Sequence, residues 1–172
     1  MKNRQEKILE LLDTSGARLH ALLARLTLCE DTAGDLMQEL FLRLANSRGF
    51  MKADHPFAYA YRTAINLGLE WRRKTKTPLH SLDGDLLPEK RSSSPLVQMV
   101  QAEELALVLD TIPRLNRLAQ EVIVMHYIEQ ESYETIAERL GKKPQHIRSI
   151  SAKAMARLRQ LLTGVANLSA NK

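Results

Sequence analysis

The chain has 172 residues, room for one domain or two small ones, with 44% hydrophobic but only 5% aromatic residues and a net charge of +5. A single cysteine, Cys29, rules out an internal disulfide and any cysteine-based zinc site, and is expected to fill a helix face as a small apolar residue. No apolar run approaches the ~20 residues needed to cross a bilayer, and the charges inside the apolar spacing of MKNRQEKILELLD do not fit a signal peptide, so no membrane insertion and a cytoplasmic location are expected.

Ala, Leu, Glu, Gln, Arg and Lys dominate, which predicts an all-α protein of two small helical domains joined by a flexible linker. Leu9, Leu12, Leu19, Leu22, Leu23 and Leu26 recur at helical spacing across a break at DTSG, predicting helices over 4–12 and 17–26 with Thr14 or Ser15 as a cap. LTLCEDTAG reads as a turn, after which Asp31 or Thr32 starts a helix reaching Ala45. The polar stretch NSRGFMKADH reads as a loop, and Pro56 opens a long helix to Lys74. From Thr77 to Pro95 the period is lost; three prolines, one glycine and four serines mark a linker too long for a connection inside a compact domain. The expected domains are therefore 1–76 and 96–172, with the linker over 77–95. Helical spacing returns at Leu96, and Pro113 is expected to open a helix carrying Val122, Ile123 and Met125, broken by EQES. Ser132 caps a short helix, Gly141 ends it, and Pro144 begins a last helix to Leu162.

That last pair reads as a helix-turn-helix: Gly141 supplies a left-handed turn position, Ala137 is small at the crossing, and Ile136, Leu140, Ile147 and Ile150 fill the space between. Ile147, Ile150, Ala154, Leu158 and Leu161 form the inner stripe of the last helix. After Glu138 the sequence holds eight Lys and Arg and no acid, a clustering that points to DNA. Gln145 and Arg148 have the donor and acceptor geometry to read base edges, with His146 and Ser149 in support. Lys142, Lys143, Lys153 and Arg157 suit phosphates, which position a helix without reading sequence. A solvated basic face on a helical hairpin is the plainer interpretation.

In DLMQELFLRLA, Leu36, Met37, Leu40, Phe41 and Leu44 pack inward and Asp35, Gln38, Glu39 and Arg43 share the outer face, either a solvated stripe or a protein-docking face. HPFAYAYRTAINLGLEWRRKTK interleaves Phe57, Tyr59, Tyr61 and Trp71 with Arg62, Arg72, Arg73, Lys74 and Lys76, a pattern that suits stacked single-stranded bases. The alternative there is a core helix through Tyr61, Ile65 and Leu69.

Taken in order, DLMQELFLRL, YRTAIN with EWRRK, and LDTIPRLNRLAQEVIVMHYIEQESYETIAERLGKKPQHIRSISAKAMARLRQLL resemble the extracytoplasmic-function sigma factors of bacterial RNA polymerase. The resemblance implies that Asp35, Gln38, Glu39 and Arg43 dock on the clamp helices of the polymerase largest subunit. It also implies that 46–55 captures a flipped base of the melted −10 strand, with Arg48, Lys52, Arg62, Asn66, Arg72 and Arg73 holding that DNA. The helix from Pro144 would lie in the −35 major groove while its domain touches the polymerase flap. An anti-sigma partner is common for such a family. Gln145-His146 stands where members usually have Gly-Thr, and Glu131 where an apolar residue is usual, so the promoter sequence is left open. The other readings are a free-standing helix-turn-helix regulator binding operator DNA as a dimer, and an enzyme. The enzyme fares worst: His20, His55, His80, His126 and His146 are scattered without metal-ligand spacing, no phosphate-binding glycine loop occurs, and no catalytic residue, metal or cofactor is expected.

Overall fold

The computed structural model describes residues 3–75 and 95–169, so the linker expected over 77–95 lies, but for Pro95, outside the described residues. Every regular element among these residues is a helix, with no strand among them. Among the described residues the chain divides into two compact units, the first up to Trp71 and the second from Arg72 onward.

The first unit opens on one continuous helix, α1 (Arg4–Thr27), where the sequence predicted two. The short polar residues of DTSG do not cap a new helix. Thr14 Oγ1 donates back to the Glu10 carbonyl at 2.7 Å, and Gly16 is buried against Leu12. Leu28 ends α1 in a left-handed conformation (φ 58°), its N–H returning to the Ala24 carbonyl at 2.8 Å. The turn to α2 (Glu30–Asn46) is therefore shorter than expected, and Cys29 heads α2 in extended backbone rather than on a helix face. The predicted loop after α2 contains a short helix, α3 (Arg48–Lys52), before α4 (Pro56–Thr75).

The core of this unit is the stripe Leu19, Leu22, Leu23 and Leu26 of α1 against Leu40 and Leu44 of α2 and Tyr61, Ile65 and Leu69 of α4, all essentially inaccessible. Each such leucine contributes roughly 1.5–3 kcal/mol by leaving water. Gly68 lets α4 approach α1 closely: a Cβ there would sit 2.8 Å from Leu26 Cδ1.

In the second unit α5 (Pro95–Thr111) leads into a 3₁₀ turn, Ile112–Arg114, which takes up Pro113. The helix expected to open at Pro113 begins instead as α6 (Arg117–Ile123), because the Asn116 side chain accepts from the Ala119 N–H at 3.0 Å and fixes the start there. It widens into a π turn over Val124–Ile128. Then come α7 (Tyr133–Leu140) and α8 (Pro144–Ser169), which continues through Gly164, a residue that weakens a helix without ending it. Val122, Val124, Met125, Ile136, Ile147 and Leu158 form the core around α8. The inner stripe of α8 is Ile147, Ser151, Ala154 and Leu158; Ile150, expected there, is half-buried at the edge of a groove.

Ser132 and Gly141 act as predicted. Ser132 Oγ accepts from the Thr135 N–H at 3.1 Å, and Gly141 turns the chain at φ 62°, its N–H reaching the Ala137 and Glu138 carbonyls. Space around Gly141 is open, so Gly141→Ala meets only backbone strain. It should lower the stability of this unit by about 1–2 kcal/mol, read from the urea midpoint.

Candidate nucleic-acid interface

The outer face of α2 is laid out by the 3.6-residue period. Asp35, Gln38 and Arg43 are exposed and Glu39 is half-exposed. Arg43 is committed within the unit: its Nε donates to Glu39 at 2.8 Å and its Nη1 to Glu70 at 3.1 Å. The bond to Glu39 lifts the guanidinium above its ordinary value, partial burial opposes this, and Glu70 adds to it. Leu42, one turn beyond Gln38 on the same face, is 61% exposed. Its i+4 spacing from Gln38 is the sequence signal that places it on this face.

The segment 46–55 is folded rather than loose. Ser47 Oγ accepts from the Phe50 N–H at 3.1 Å, which starts α3, and pairs with the Tyr59 hydroxyl at 2.8 Å. Phe50 is wholly buried, while Arg48 and Lys52 are exposed. Along α4, Arg62 and Arg73 are exposed, and Asn66 is half-buried with its Nδ2 donating to the Arg62 carbonyl at 2.7 Å. Tyr61 belongs to the core, and the Arg18 guanidinium lies 5.0 Å from the Phe57 ring centre and 5.7 Å from that of Tyr61. Only Tyr59, at 36% exposure, is an open ring among the four aromatics singled out there.

Arg72, expected among the residues that hold the −10 strand, is buried, unlike Arg62 and Arg73. It is 4% exposed, with Nε on Asp110 at 2.9 Å and Nη2 on the Ala106 carbonyl at 3.3 Å. Burial pushes this guanidinium below its ordinary value and the Asp110 carboxylate opposes the shift. The neighbouring Arg73, one position on, keeps the outward face.

In the turn after α7 and along α8 the structure brings the predicted residues together. Lys142, Lys143, Gln145, His146, Arg148, Ser149, Lys153 and Arg157 are all exposed. Arg148 is not idle: its Nη2 contacts Glu134 Oε1 at 2.5 Å, and its guanidinium lies 5.7 Å from the Tyr133 ring centre. Both partners are more than half exposed, so this surface pair is weak and exchangeable. A groove of about 370 Å³ runs beside α8, bordered by Arg114, Asn116, His146, Ile150, Lys153 and Arg157 and by no carboxylate. Among the described residues no three His, Cys, Asp or Glu side chains gather to hold a metal, and no helix is long and apolar enough to cross a membrane.

The arrangement has clear relatives. Residues 11–77 match the family model for sigma-70 region 2, and residues 112–160 match that for sigma-70 region 4. The RNA polymerase sigma-E factor of Streptomyces coelicolor is 34% identical over 106 residues, and that of Streptomyces antibioticus 32% over 105; each alignment covers 61% of this chain and 56% of the relative. The match thus spans little more than half the length of these relatives. Among solved structures, the sigma factor RpoE in complex with the anti-sigma factor NepR from Bartonella quintana aligns with 90% of this chain and 95% of its own, at 22% identity and a TM-score of 0.46. With both regions matched in order, over 11–77 and 112–160, the chain belongs to the sigma-70 family, among the extracytoplasmic-function sigma factors.

Proposed function

We propose that this chain is the promoter-specificity subunit of a bacterial RNA polymerase, directing transcription initiation and carrying out no covalent chemistry. The observation that carries the reading is the exposed cationic face of α8, a helix without an acidic residue, in a region 4 domain, paired with a region 2 domain whose α2 offers a polar docking face. Asp35, Gln38, Glu39 and Arg43, joined by Leu42, would lie on the polymerase clamp helices, and the second domain on the flap. Arg48, Lys52, Arg62, Asn66 and Arg73 would hold the melted −10 strand. Binding to that strand offsets the few kcal/mol that unstacking a base costs. Lys142, Lys143, Gln145, His146, Arg148, Ser149, Lys153 and Arg157 would engage the −35 duplex. The domains 1–76 and 96–172 would act as separate heads, so ordering them on promoter DNA costs entropy unless polymerase holds both. Polymerase and promoter DNA place its work in the cytoplasm, and an anti-sigma protein covering the docking face would regulate it.

Two substitutions test the sorting of contacts on α8. Arg148→Ala should cost about 1–3 kcal/mol and relax one promoter position, whereas Lys153→Ala should weaken all sequences alike and reduce the salt slope by about one. Identical behaviour of the two in holoenzyme binding across a salt series would refute that sorting. A dimeric operator-binding regulator predicts tight gel shifts on naked duplex; the sigma reading predicts weak ones until core polymerase is added.

A further inference from the structure

The five-residue helix α3 is far too short to persist by itself and must be held from outside. Three contacts hold it. Ser47 fixes its start and is itself tied to Tyr59. The Phe50 ring is buried, 6.0 Å from the Tyr59 ring, and Tyr59 leaves no room at Gly49, where a Cβ would lie 2.9 Å from the hydroxyl. The third contact comes from α1, more than forty residues earlier in the chain. Lys7 Nζ donates to the Met51 carbonyl at 3.0 Å and to the Ala53 carbonyl at 3.2 Å, and stands 5.3 Å from the Phe50 ring centre.

These carbonyls close the C-terminal end of α3, where backbone oxygens lack intrahelical donors and carry partial negative charge. An ammonium group with three donors suits them, and the aromatic face below adds a cation–π attraction. Lys7 therefore ties down the C-terminal end of α3, the helix that carries the exposed Arg48 and Lys52. We propose that Lys7 is a positioning residue for −10 recognition: a clamp from α1 that sets the conformation of 46–55 without touching DNA. This rests on the reading of 46–55 as the segment that captures a base of the melted strand.

The test compares Lys7→Met, which keeps an apolar stem over Phe50 and loses the donors, with Lys7→Arg, which restores donors and charge. In the free chain, amide exchange over 50–53 should quicken about tenfold in Lys7→Met, the loss of charge-assisted bonds to the backbone. In the holoenzyme, transcription is read from templates randomised over the −10 region below the −35 sequence that the wild type selects. Lys7→Met should cut the preference for the favoured −10 base about tenfold and leave −35 preference and core affinity unchanged, while Lys7→Arg restores both exchange and preference to within about twofold. Unchanged exchange, unchanged −10 preference, or an equal loss in −35 preference and core affinity would each overturn the clamp. The double variant Arg48→Ala/Lys52→Ala separates the layers. If it alters −10 preference while Lys7→Met does not, only the clamp falls; if it leaves −10 preference intact, the assignment of 46–55 falls and takes the clamp with it.

Discussion

Asp35→Arg is expected to lower the affinity of this chain for core polymerase by about a hundredfold or more, while leaving its fold intact. Asp35 is exposed on α2 and takes part in no packing of the first unit's core. An arginine there is a good helix former with Glu39 four residues on, so the change should stay within about 0.5 kcal/mol of neutral for stability. On a partner surface complementary to the Asp35 carboxylate, the same change would place like charges together, which costs several kcal/mol and shows in both association and dissociation. Leu42 sharpens the expectation, since an exposed apolar residue ringed by Asp35, Gln38 and Arg43 has the apolar-centre, polar-rim anatomy of an interface. Arg43→Ala is a useful contrast: it releases Glu39 and Glu70 and should therefore perturb the unit as well as the docking. Affinity from fluorescence titration with core polymerase, beside circular dichroism and thermal melting of the free variants, separates the two effects. Wild-type affinity in Asp35→Arg would remove α2 from the docking surface.

Arg139→Leu is expected to destabilise the second unit by about 3–5 kcal/mol, a large share of a small domain's 5–15. Arg139 Nη2 lies 3.0 Å from Glu131 Oε1, with the side chains 16% and 6% exposed. Glu131 is also tied through its backbone: its N–H donates to the Met125 carbonyl at 2.9 Å, and its carbonyl accepts from His126 Nδ1 at 2.8 Å. The His126 ring stacks on Tyr133 at 4.0 Å, so the pair sits at the entry to the helix-turn-helix. Removing the guanidinium takes the Arg139 charge away from a carboxylate whose side chain is 6% exposed. Glu131→Leu alone should cost several kcal/mol for the mirror-image reason. The double change to leucine should recover most of the loss, because a buried ion pair is often matched by well-packed apolar residues. Urea midpoints of the four proteins close the cycle. A double variant as unstable as the sum of the single ones would show that the pair is not what holds this corner.

Legibility in the sequence followed the reach of each signal. Spacing on a single helix was readable, as in the outward row Asp35, Gln38, Glu39 and Arg43 and the exposed cations from Lys142 to Arg157. So were caps with a local mechanism, Ser132 and Gly141. Competing local signals misled: DTSG carries turn residues, yet the Thr14 hydroxyl satisfies the backbone within the helix, and Pro113 signals a helix start but lies in a 3₁₀ turn ahead of the Asn116 cap. Long-range pairing was not readable at all. Nothing in RRK marks Arg72 for burial on Asp110 while Arg73 stays exposed, and nothing near Lys7 announces two carbonyls that follow it by more than forty residues. Glu131 stood out as an anomaly, but its resolution lay eight residues on, in Arg139.

Run-off transcription by core polymerase with and without the chain, on a library of genomic fragments that includes the region upstream of its own gene, tests the central claim most directly. The account predicts new transcripts with defined starts, from fragments sharing two sequence elements at a fixed spacing, and none from core polymerase alone. A chain that does not join core polymerase, or that joins it and redirects no start site, would contradict it.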